Sequence, residues 1–260
     1  MRYLTSLLSL LALMLCGSNI LAATTRPVRE DGVVLAKKTF VIVRRGKVTR
    51  DFPEKKRATV SYPVVTGGLS SPAVLSKVRS LLSVKNIFDT SIEEYRQDTW
   101  LSEFDYKVNY NKNYILDITF TQSGSGAYPS TDNKHLAINL KTGRLIKAAD
   151  VFKSDSLENL AAMVDKKLQA EIKETLDEVA RDKDYDAEAK KSIREMFESL
   201  KIGPQDLDNF SINDKGITFL YDAGFPHVAQ ALQPVGEYFF SYAELSPYLK
   251  RKGSAASLVQ

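Results

Sequence analysis

The clearest pattern in the chain is an alternation of apolar and polar positions on the two sides of residues 111–113. The apolar side chains that alternate are Phe104, Tyr106, Val108, Tyr110, Tyr114, Leu116, Ile118 and Phe120. Because successive side chains of a strand point to opposite faces, the pattern predicts a β-hairpin whose turn lies at Asn111–Asn113. A third strand is predicted at Leu136–Leu140, after a stretch rich in Gly, Ser and Pro.

A second pattern, with apolar residues at spacings of three and four, predicts helices. The longest of these begins at Asp155, and its apolar positions are Leu157, Leu160, Val164, Leu168, Ile172, Leu176 and Val179. The opposite face is rich in Lys and Glu, as expected for a helix packed on a sheet. Ile193, Phe197 and Leu200 mark a further helix. Two short helices are predicted from a Ser71-Pro72 start and from a capping box at Thr90–Glu93.

The remaining strands are predicted from shorter patterns. A hairpin is expected over Val33–Val48, with its turn at Arg45–Lys47, and Pro63 indicates that the strand Arg57–Val65 lies near a sheet edge. Later strands surround a turn at Asn213–Gly216 and occupy Tyr238–Ser241. Strands and helices are grouped rather than alternating. The predicted fold is therefore α+β, with mainly antiparallel sheets and a long amphipathic helix packed on one face.

The N-terminus has the three parts of a secretory signal peptide. Arg2 precedes an apolar run, and a short segment ending at Ala22-Ala23 follows it. Two alternatives stay open, an uncleaved membrane anchor and a lipoprotein acylated at Cys16, although Leu15 is large for the position before such a cysteine. The expectation is a periplasmic or secreted protein without a membrane span in its mature form.

The organisation along the chain follows from these elements. Residues 1–23 are the predicted signal peptide, and residues 24–57 form a flexible lead-in and a first hairpin. Residues 58–123 and 124–249 are predicted as an N-terminal and a C-terminal α+β lobe, although their hairpins could equally share one sheet. Residues 250–260 form a small, polar tail.

Composition narrows the possible chemistry. The 260 residues include two histidines and one cysteine, so neither a metal site nor a cofactor is indicated. Cleavage after Ala23 would remove the cysteine and leave a mature protein without disulfides. The formal net charge of +4 is too small to indicate nucleic-acid binding.

Catalytic motifs are weak. A triad could be drawn from Ser125, Asp132 and His135, but spacing alone does not support one, since triads are geometric. The surrounding sequence is not G-x-S-x-G. Carboxylates are plentiful, and the alternative function is an envelope hydrolase acting on cell-wall glycan through a pair of them. Such a pair would lie about 5–9.5 Å apart in a cleft. A protein without enzymatic activity is favoured.

Several short motifs together resemble a known family. They are Gly126-Ala-Tyr-Pro129, Lys141-Thr-Gly143, Ala149-Asp-Val-Phe152, Ile217-Thr-Phe-Leu-Tyr221, Gly236 and Tyr242-Ala-Glu-Leu245. Their order is similar to the extracytoplasmic domain of RsiV-type anti-sigma factors, a module that also precedes the catalytic domain of some peptidoglycan deacetylases. The resemblance implies an envelope module that binds a lysozyme-like muramidase without catalysis. The segment 222–235 is longer here, and no cytoplasmic sigma-binding region is evident.

The predicted function is an exported binding module whose partner is an envelope protein, a lysozyme-like muramidase or peptidoglycan. Two loops, 123–135 and 222–235, are the predicted binding surface, because loops on a rigid sheet commonly carry function. The candidate binding residues are Ser125, Tyr128, Pro129, Asp132, His135, Phe225 and His227. Tyr128 and Phe225 are candidate anchors, and the sequence is also compatible with a place for either in the core.

Overall fold

The computed structural model describes residues 31–88 and 90–252. Its strands are β1 Val34–Val43, β2 Arg57–Gly67, β3 Leu101–Lys112, β4 Ile115–Ser125, β5 Pro129–Asn139, β6 Arg144–Leu145, β7 Phe210–Ile212, β8 Gly216–Leu220 and β9 Glu237–Ser241. Its α-helices are α1 Val48–Asp51, α2 Pro72–Leu81, α3 Val84–Ile87, α4 Ile92–Gln97, α5 Ala148–Val151, α6 Leu157–Arg181, α7 Ala187–Glu198 and α8 Tyr242–Leu245. Four 3-10 helices cover Pro53–Lys56, Ser154–Ser156, Pro204–Asp208 and His227–Leu232 within the same residues.

The strands form two sheets. The larger has six strands in the order β1-β2-β3-β4-β5-β6, and the smaller has the order β7-β8-β9. All described pairs are antiparallel except β2–β3, which is parallel and joins only Thr59 to Glu103 and Val60 to Phe104. The prediction of an α+β fold with mainly antiparallel sheets is confirmed.

The strongest predicted hairpin is present as β3 and β4, with its turn one residue later than predicted. Asn113 and Tyr114 form the turn and both have positive φ, 55° and 59°. Two left-handed residues in succession match the right-handed twist of the flanking strands. Asparagine commonly takes this conformation, but tyrosine does not, so the turn was placed too early.

The hairpin predicted within Val33–Val48 is wrong, because β1 is one continuous strand that pairs with β2. Arg44, at the end of β1, is buried and its guanidinium donates to the carbonyl oxygens of Tyr95, Lys55 and Leu101 at 2.8–3.0 Å. These bonds direct the chain away from a tight turn. β2 is second from the edge of the sheet, so it lies near an edge as predicted. Pro63 is compatible because β3 pairs with β2 only near Thr59 and Val60.

Helix boundaries follow capping residues closely. Ser71 caps α2 as predicted, and its side chain accepts a hydrogen bond from the Val74 N–H. The second capping box is shifted by one residue, since Ser91 and Glu94 exchange the two bonds. Ser91 is as able to cap as Thr90, and Glu94 lies three residues after it, so the box forms one position later than predicted.

The long helix α6 packs on the smaller sheet as its periodicity predicts. Its buried residues are Leu160, Ala161, Val164, Leu168, Ile172 and Val179. Lys167 adds two contacts to β9, because its Nζ donates to the Phe239 carbonyl at 2.6 Å and lies 4.0 Å from the centre of the Phe240 ring. The helix begins at Leu157 instead of Asp155, after a short 3-10 turn.

Two apolar clusters meet at strand β4. Leu116, Ile118 and Phe120 belong to the cluster that includes α2–α4, whereas Ile115 belongs to the cluster formed by α6 and the smaller sheet. β4 and β5 pair from Ile115–Asn139 to Ser125–Pro129. The boundary predicted between residues 123 and 124 therefore falls inside one hairpin.

A buried carboxylate joins the two sheets at this level. Asp117 of β4 accepts hydrogen bonds of 2.8 Å from the Asn109 side chain, the Ser211 hydroxyl and the Ile212 N–H. The last two donors belong to β7, so the smaller sheet is fixed to the larger one here. Burial raises the pKa of Asp117 to about 6, although the three donors oppose that shift.

Candidate binding cleft

The first predicted binding segment, 123–135, is mostly strand rather than loop. β4 continues to Ser125, β5 begins at Pro129, and only residues 126–128 join them. The expectation of a loop over 123–135 is wrong, because β4 and β5 occupy most of it. Gly124 serves close packing, since a Cβ there would lie 2.2 Å from the Trp100 carbonyl oxygen. Trp100 also holds β5, since its indole N–H donates to the Ser130 hydroxyl at 2.9 Å.

The second predicted segment, 222–235, leads from β8 to β9 and contains the 3-10 helix His227–Leu232. Gln233 fixes its shape, because its side chain accepts from the Phe225 N–H at 3.0 Å and donates to Asp222 at 3.2 Å. Glu171 of α6 accepts from the Val235 N–H at 2.5 Å. The segment thus has a defined path held by side-chain bonds.

The structure brings the two predicted segments together. The Tyr128 ring stacks on the His227 ring, with centroids 4.1 Å apart and an angle of 24° between the planes. Both residues are exposed, and 60% of the Tyr128 surface is accessible. This contact closes one end of a shared surface between the hairpin tip and the segment 222–235.

Residues of both predicted segments also line a cleft of about 470 Å³. β5 supplies one wall with Thr131, Asp132, Asn133 and His135. The other wall comes from β8, β9 and the segment between them, with Leu220, Tyr221, Asp222, Gly224, Phe225, Gln230, Gln233, Val235, Gly236 and Glu237, and from Asn209, which directly precedes β7. The lining is rich in amides and contains three carboxylates, but neither Lys nor Arg.

His135 links the cleft to the junction of the sheets. Its Nδ1 lies 2.9 Å from the Thr119 hydroxyl, which accepts from the Asn109 side chain at 2.7 Å. Asn109 also donates to Asp117, so four polar side chains form a continuous chain. Burial lowers the pKa of His135 and favours its neutral ring, which suits hydrogen bonding with an uncharged ligand group.

The structure separates the residues of the hypothetical triad. Ser125 lies opposite Pro129, whereas His135 lies opposite Thr119. Six residues of β4 separate these two levels, which corresponds to about 20 Å. Ser125 and Pro129 are therefore part of the hairpin tip and do not line the cleft, and the arrangement offers no Ser–His–Asp nucleophile.

Phe225 lies both against the core and at the cleft. Its ring packs edge-on against Phe197 of α7, with centroids 5.1 Å apart, while the residue also lines the cleft. Phe225 is partly buried and packs against the core formed by α6 and the smaller sheet. Tyr128 is the exposed one of the two candidate anchors.

Several residues of the cleft were missed from the sequence. Asn133, Gln233 and Glu237 line it, and nothing in their local sequence distinguishes them from other polar surface residues. Asp117 could have been found, because it is the one charged residue within the apolar run Ile115–Ile118. A buried charge needs hydrogen-bond partners, and those of Asp117 are donors on β3 and β7.

Other candidate chemistry is limited within the described ranges, 31–88 and 90–252. No group of three His, Cys, Asp or Glu side chains there is arranged to hold a metal ion. None of the helices found in those ranges is both long and apolar enough to cross a membrane. The predicted signal peptide, including Cys16, lies outside the described residues.

Comparisons with known proteins identify a shared fold. No protein-family model matches the chain, and no curated protein matches it. Its structure is similar to that of a DUF3298 family member from Bacteroides fragilis, with a TM-score of 0.55 and 15% identity over 88% of this chain and 99% of the other. It is also similar to a DUF3298 family protein from Pseudomonas aeruginosa, with a TM-score of 0.50 and 12% identity over 85% and 96% of the two chains.

Proposed function

We propose that this protein is an exported binding module of the bacterial cell envelope, without enzymatic activity, and that its partner is a lysozyme-like muramidase or peptidoglycan. The observation that carries the proposal is the contact between Tyr128 and His227, which unites two segments chosen as binding surfaces from sequence alone. The similarity to DUF3298 structures supports it, since this family also includes the extracellular domains of RsiV proteins.

The surface around the cleft has the character of a protein-binding site. Val235 lines the cleft and is 78% accessible. Tyr128, which stacks on His227, is 60% accessible, and Val228, the residue after His227, is 96% accessible. Large apolar side chains close together on an exposed surface are typical of interaction sites. The side-chain bonds that fix segment 222–235 reduce the entropy that binding would cost.

Export is proposed from the N-terminal pattern alone. Expression of the full chain in a bacterial host, followed by fractionation and N-terminal sequencing, tests it. We expect a mature chain that begins near Thr24 in the periplasm or the medium. A chain that begins at Cys16 and partitions with membranes would identify the lipoprotein alternative, and an intact N-terminus in the cytoplasm would refute export.

Binding is tested by titration calorimetry with lysozyme and by co-sedimentation with purified peptidoglycan. The wild-type protein is expected to bind one of them, and Tyr128→Ala is expected to weaken that binding at least tenfold. Val41→Ala is the matched control, because Val41 is an exposed apolar residue on β1, at the opposite edge of the larger sheet. Failure of the wild type to bind either material would refute the proposed partners.

The alternative is a carboxylate-dependent hydrolase, and one observation favours it: Asp132, Asp222 and Glu237 line the same cleft. Asp222, however, already accepts from the Gly224 N–H and from Gln233. Release of reducing ends from purified peptidoglycan tests this function. Release that is abolished by Glu237→Gln or Asp132→Asn would establish an enzyme, and we expect no release.

A further inference from the structure

Strand β5 has an open edge along the cleft. On one side β5 pairs with β4 over its full length, but on the other side β6 pairs only with Ile138 and Asn139. The carbonyl of Ala137 faces that outer side, because it accepts from the Ile146 N–H. The N–H of Leu140 faces β4, because it donates to the Tyr114 carbonyl.

This alternation fixes the direction of the remaining backbone groups. Since the β4–β5 register has no bulge, the odd-numbered residues Thr131, Asn133 and His135 direct their N–H and C=O groups away from β4. Within residues 31–88 and 90–252, no backbone partner for these groups is present. An unpaired row of this kind can accept an additional strand.

The cleft lies beside this row. Thr131, Asp132 and Asn133 all line it, although successive side chains of a strand point to opposite faces. The cleft contacts three consecutive residues of β5, so it is not confined to one face of the sheet. It therefore extends along the edge of the strand. The opposite wall, from Asp222 to Glu237, leaves about 470 Å³ between itself and β5.

The charge of the cleft indicates what the added strand would carry. Its lining includes Asp132, Asp222 and Glu237 and contains no Lys or Arg, whereas the whole chain has a formal net charge of +4. A cleft of one charge sign favours a partner of the opposite sign and rejects like charge. The complementary occupant is a positively charged one.

We propose that an extended, positively charged segment of a partner protein binds in this cleft by adding a strand to the open edge of β5. Backbone hydrogen bonds to Thr131, Asn133 and His135 supply affinity, and the carboxylates select Lys- or Arg-bearing segments. The inference rests on the proposed function and narrows it, because it makes the partner a polypeptide rather than a glycan.

The direct test compares Asn133→Pro with Asn133→Ala. Both variants lose the bond that Asn133 accepts from the Thr121 hydroxyl, but only proline also removes the outward N–H. Because that N–H does not face β4, proline removes no bond of the existing sheet. Thr131→Pro and Thr131→Ala form a second pair if the first proline variant fails to fold by circular dichroism.

The probe is a displayed library of random ten-residue peptides selected on the full-length wild-type protein. We expect the selected peptides to be rich in Lys and Arg, and the synthesised peptides to bind Asn133→Ala at least tenfold more tightly than Asn133→Pro. Equal affinities for the two variants, the absence of binders, or acidic binders would overturn the proposal.

A charge pair of variants tests the selection of basic segments. Asp132→Asn combined with Glu237→Gln is expected to weaken the selected peptides at least fivefold and to reduce the salt dependence of binding. Glu174→Gln combined with Glu178→Gln, which removes two exposed charges from α6, is expected to leave both unchanged. Equal effects of the two pairs would contradict a role for the cleft carboxylates.

Failure of this inference is distinguishable from failure of the proposed function. Lysozyme or peptidoglycan bound equally by Asn133→Ala and Asn133→Pro would refute strand addition and leave the proposed function standing. Peptide binding that only proline abolishes, without binding of lysozyme or peptidoglycan to the wild type, would support strand addition and refute the proposed partners.

Discussion

The two ends of the hairpin β4–β5 differ in burial. At the junction end, Ile115, Leu116, Asp117 and Ile118 are all fully buried, because an apolar cluster covers each face of β4. At the tip end, Thr121 and Ser123 of the same strand are only partly buried, and the outer edge of β5 is open. One rigid element is thus anchored at one end and presents a surface at the other.

The two ends also differ in how their polar side chains are held. At the tip, pairs of small polar side chains bond across the strands, as Thr121 does to Asn133 at 2.8 Å. At the junction, Asp117 is the one polar side chain among residues 115–118, and its carboxylate has three donors. Changes at the junction should therefore act mainly on stability, whereas changes to the polar side chains at the tip should act mainly on binding.

The largest expected effect is at the junction. Ile115→Ala should lower the free energy of unfolding by about 2–5 kcal/mol, because it removes a fully buried side chain and leaves a cavity. Thr121→Ala, on the same strand at the tip, should change it by at most about 0.5 kcal/mol. Urea denaturation of both variants measures the contrast. Similar losses in the two would remove the distinction between the ends.

The next effect depends on pH. Burial raises the pKa of Asp117 from its ordinary value of 3.8 to about 6 in the folded protein, so the folded state binds more protons than the unfolded state between these values. Protonated Asp117 therefore contributes about 3 kcal/mol to the free energy of unfolding below pH 3.8. This contribution is lost as the pH rises through 6. Relative to Asp117→Asn, the wild type should lose about 2–3 kcal/mol between pH 4 and pH 7.5. A relative gain over that range would contradict the assignment.

A smaller effect is expected where the tip is tightly packed. Gly124→Ala places a Cβ against the Trp100 backbone and should cost about 1–3 kcal/mol, since Trp100 must move. Thermal unfolding measures it, and Gly126→Ala is the control, because the nearest atom there is 3.9 Å away. Equal costs would show that backbone freedom matters more than the contact with Trp100.

The smallest effect concerns the stack that joins the two binding segments. A double-mutant cycle with Tyr128→Ala and His227→Ala should give a coupling of about 0.5–1 kcal/mol in unfolding free energy, because both rings are exposed. Independent effects of the two substitutions would mean that the segments are not joined in solution.

Sequence reasoning succeeded where the physical cause is local. The alternation in β3 and β4, the spacing of three and four in α6, and the Ser71 cap all depend on neighbours within one element, and each is present in the structure. The pairing of β1 with β2 was missed, because Arg44 is held by carbonyls of Tyr95 and Leu101, far away in the sequence.

The candidate site was predicted only in part for the same reason. The two segments were chosen for their loop-like composition, but the contact of Tyr128 with His227 is tertiary and no local pattern predicts it. The open edge of β5 depends on the shortness of β6, and the acidic lining depends on residues that the fold gathers from β5, segment 222–235 and β9.

One measurement tests the central claim, that the hairpin tip and segment 222–235 form the binding surface. Backbone NMR spectra of the isotope-labelled protein are recorded during titration with lysozyme and, separately, with soluble peptidoglycan fragments. The account predicts that the amide shifts caused by the ligand cluster within 123–135 and 222–235. Shifts confined to the helices α2–α4 on the other face of the sheet, or the absence of shifts with either ligand, would contradict it.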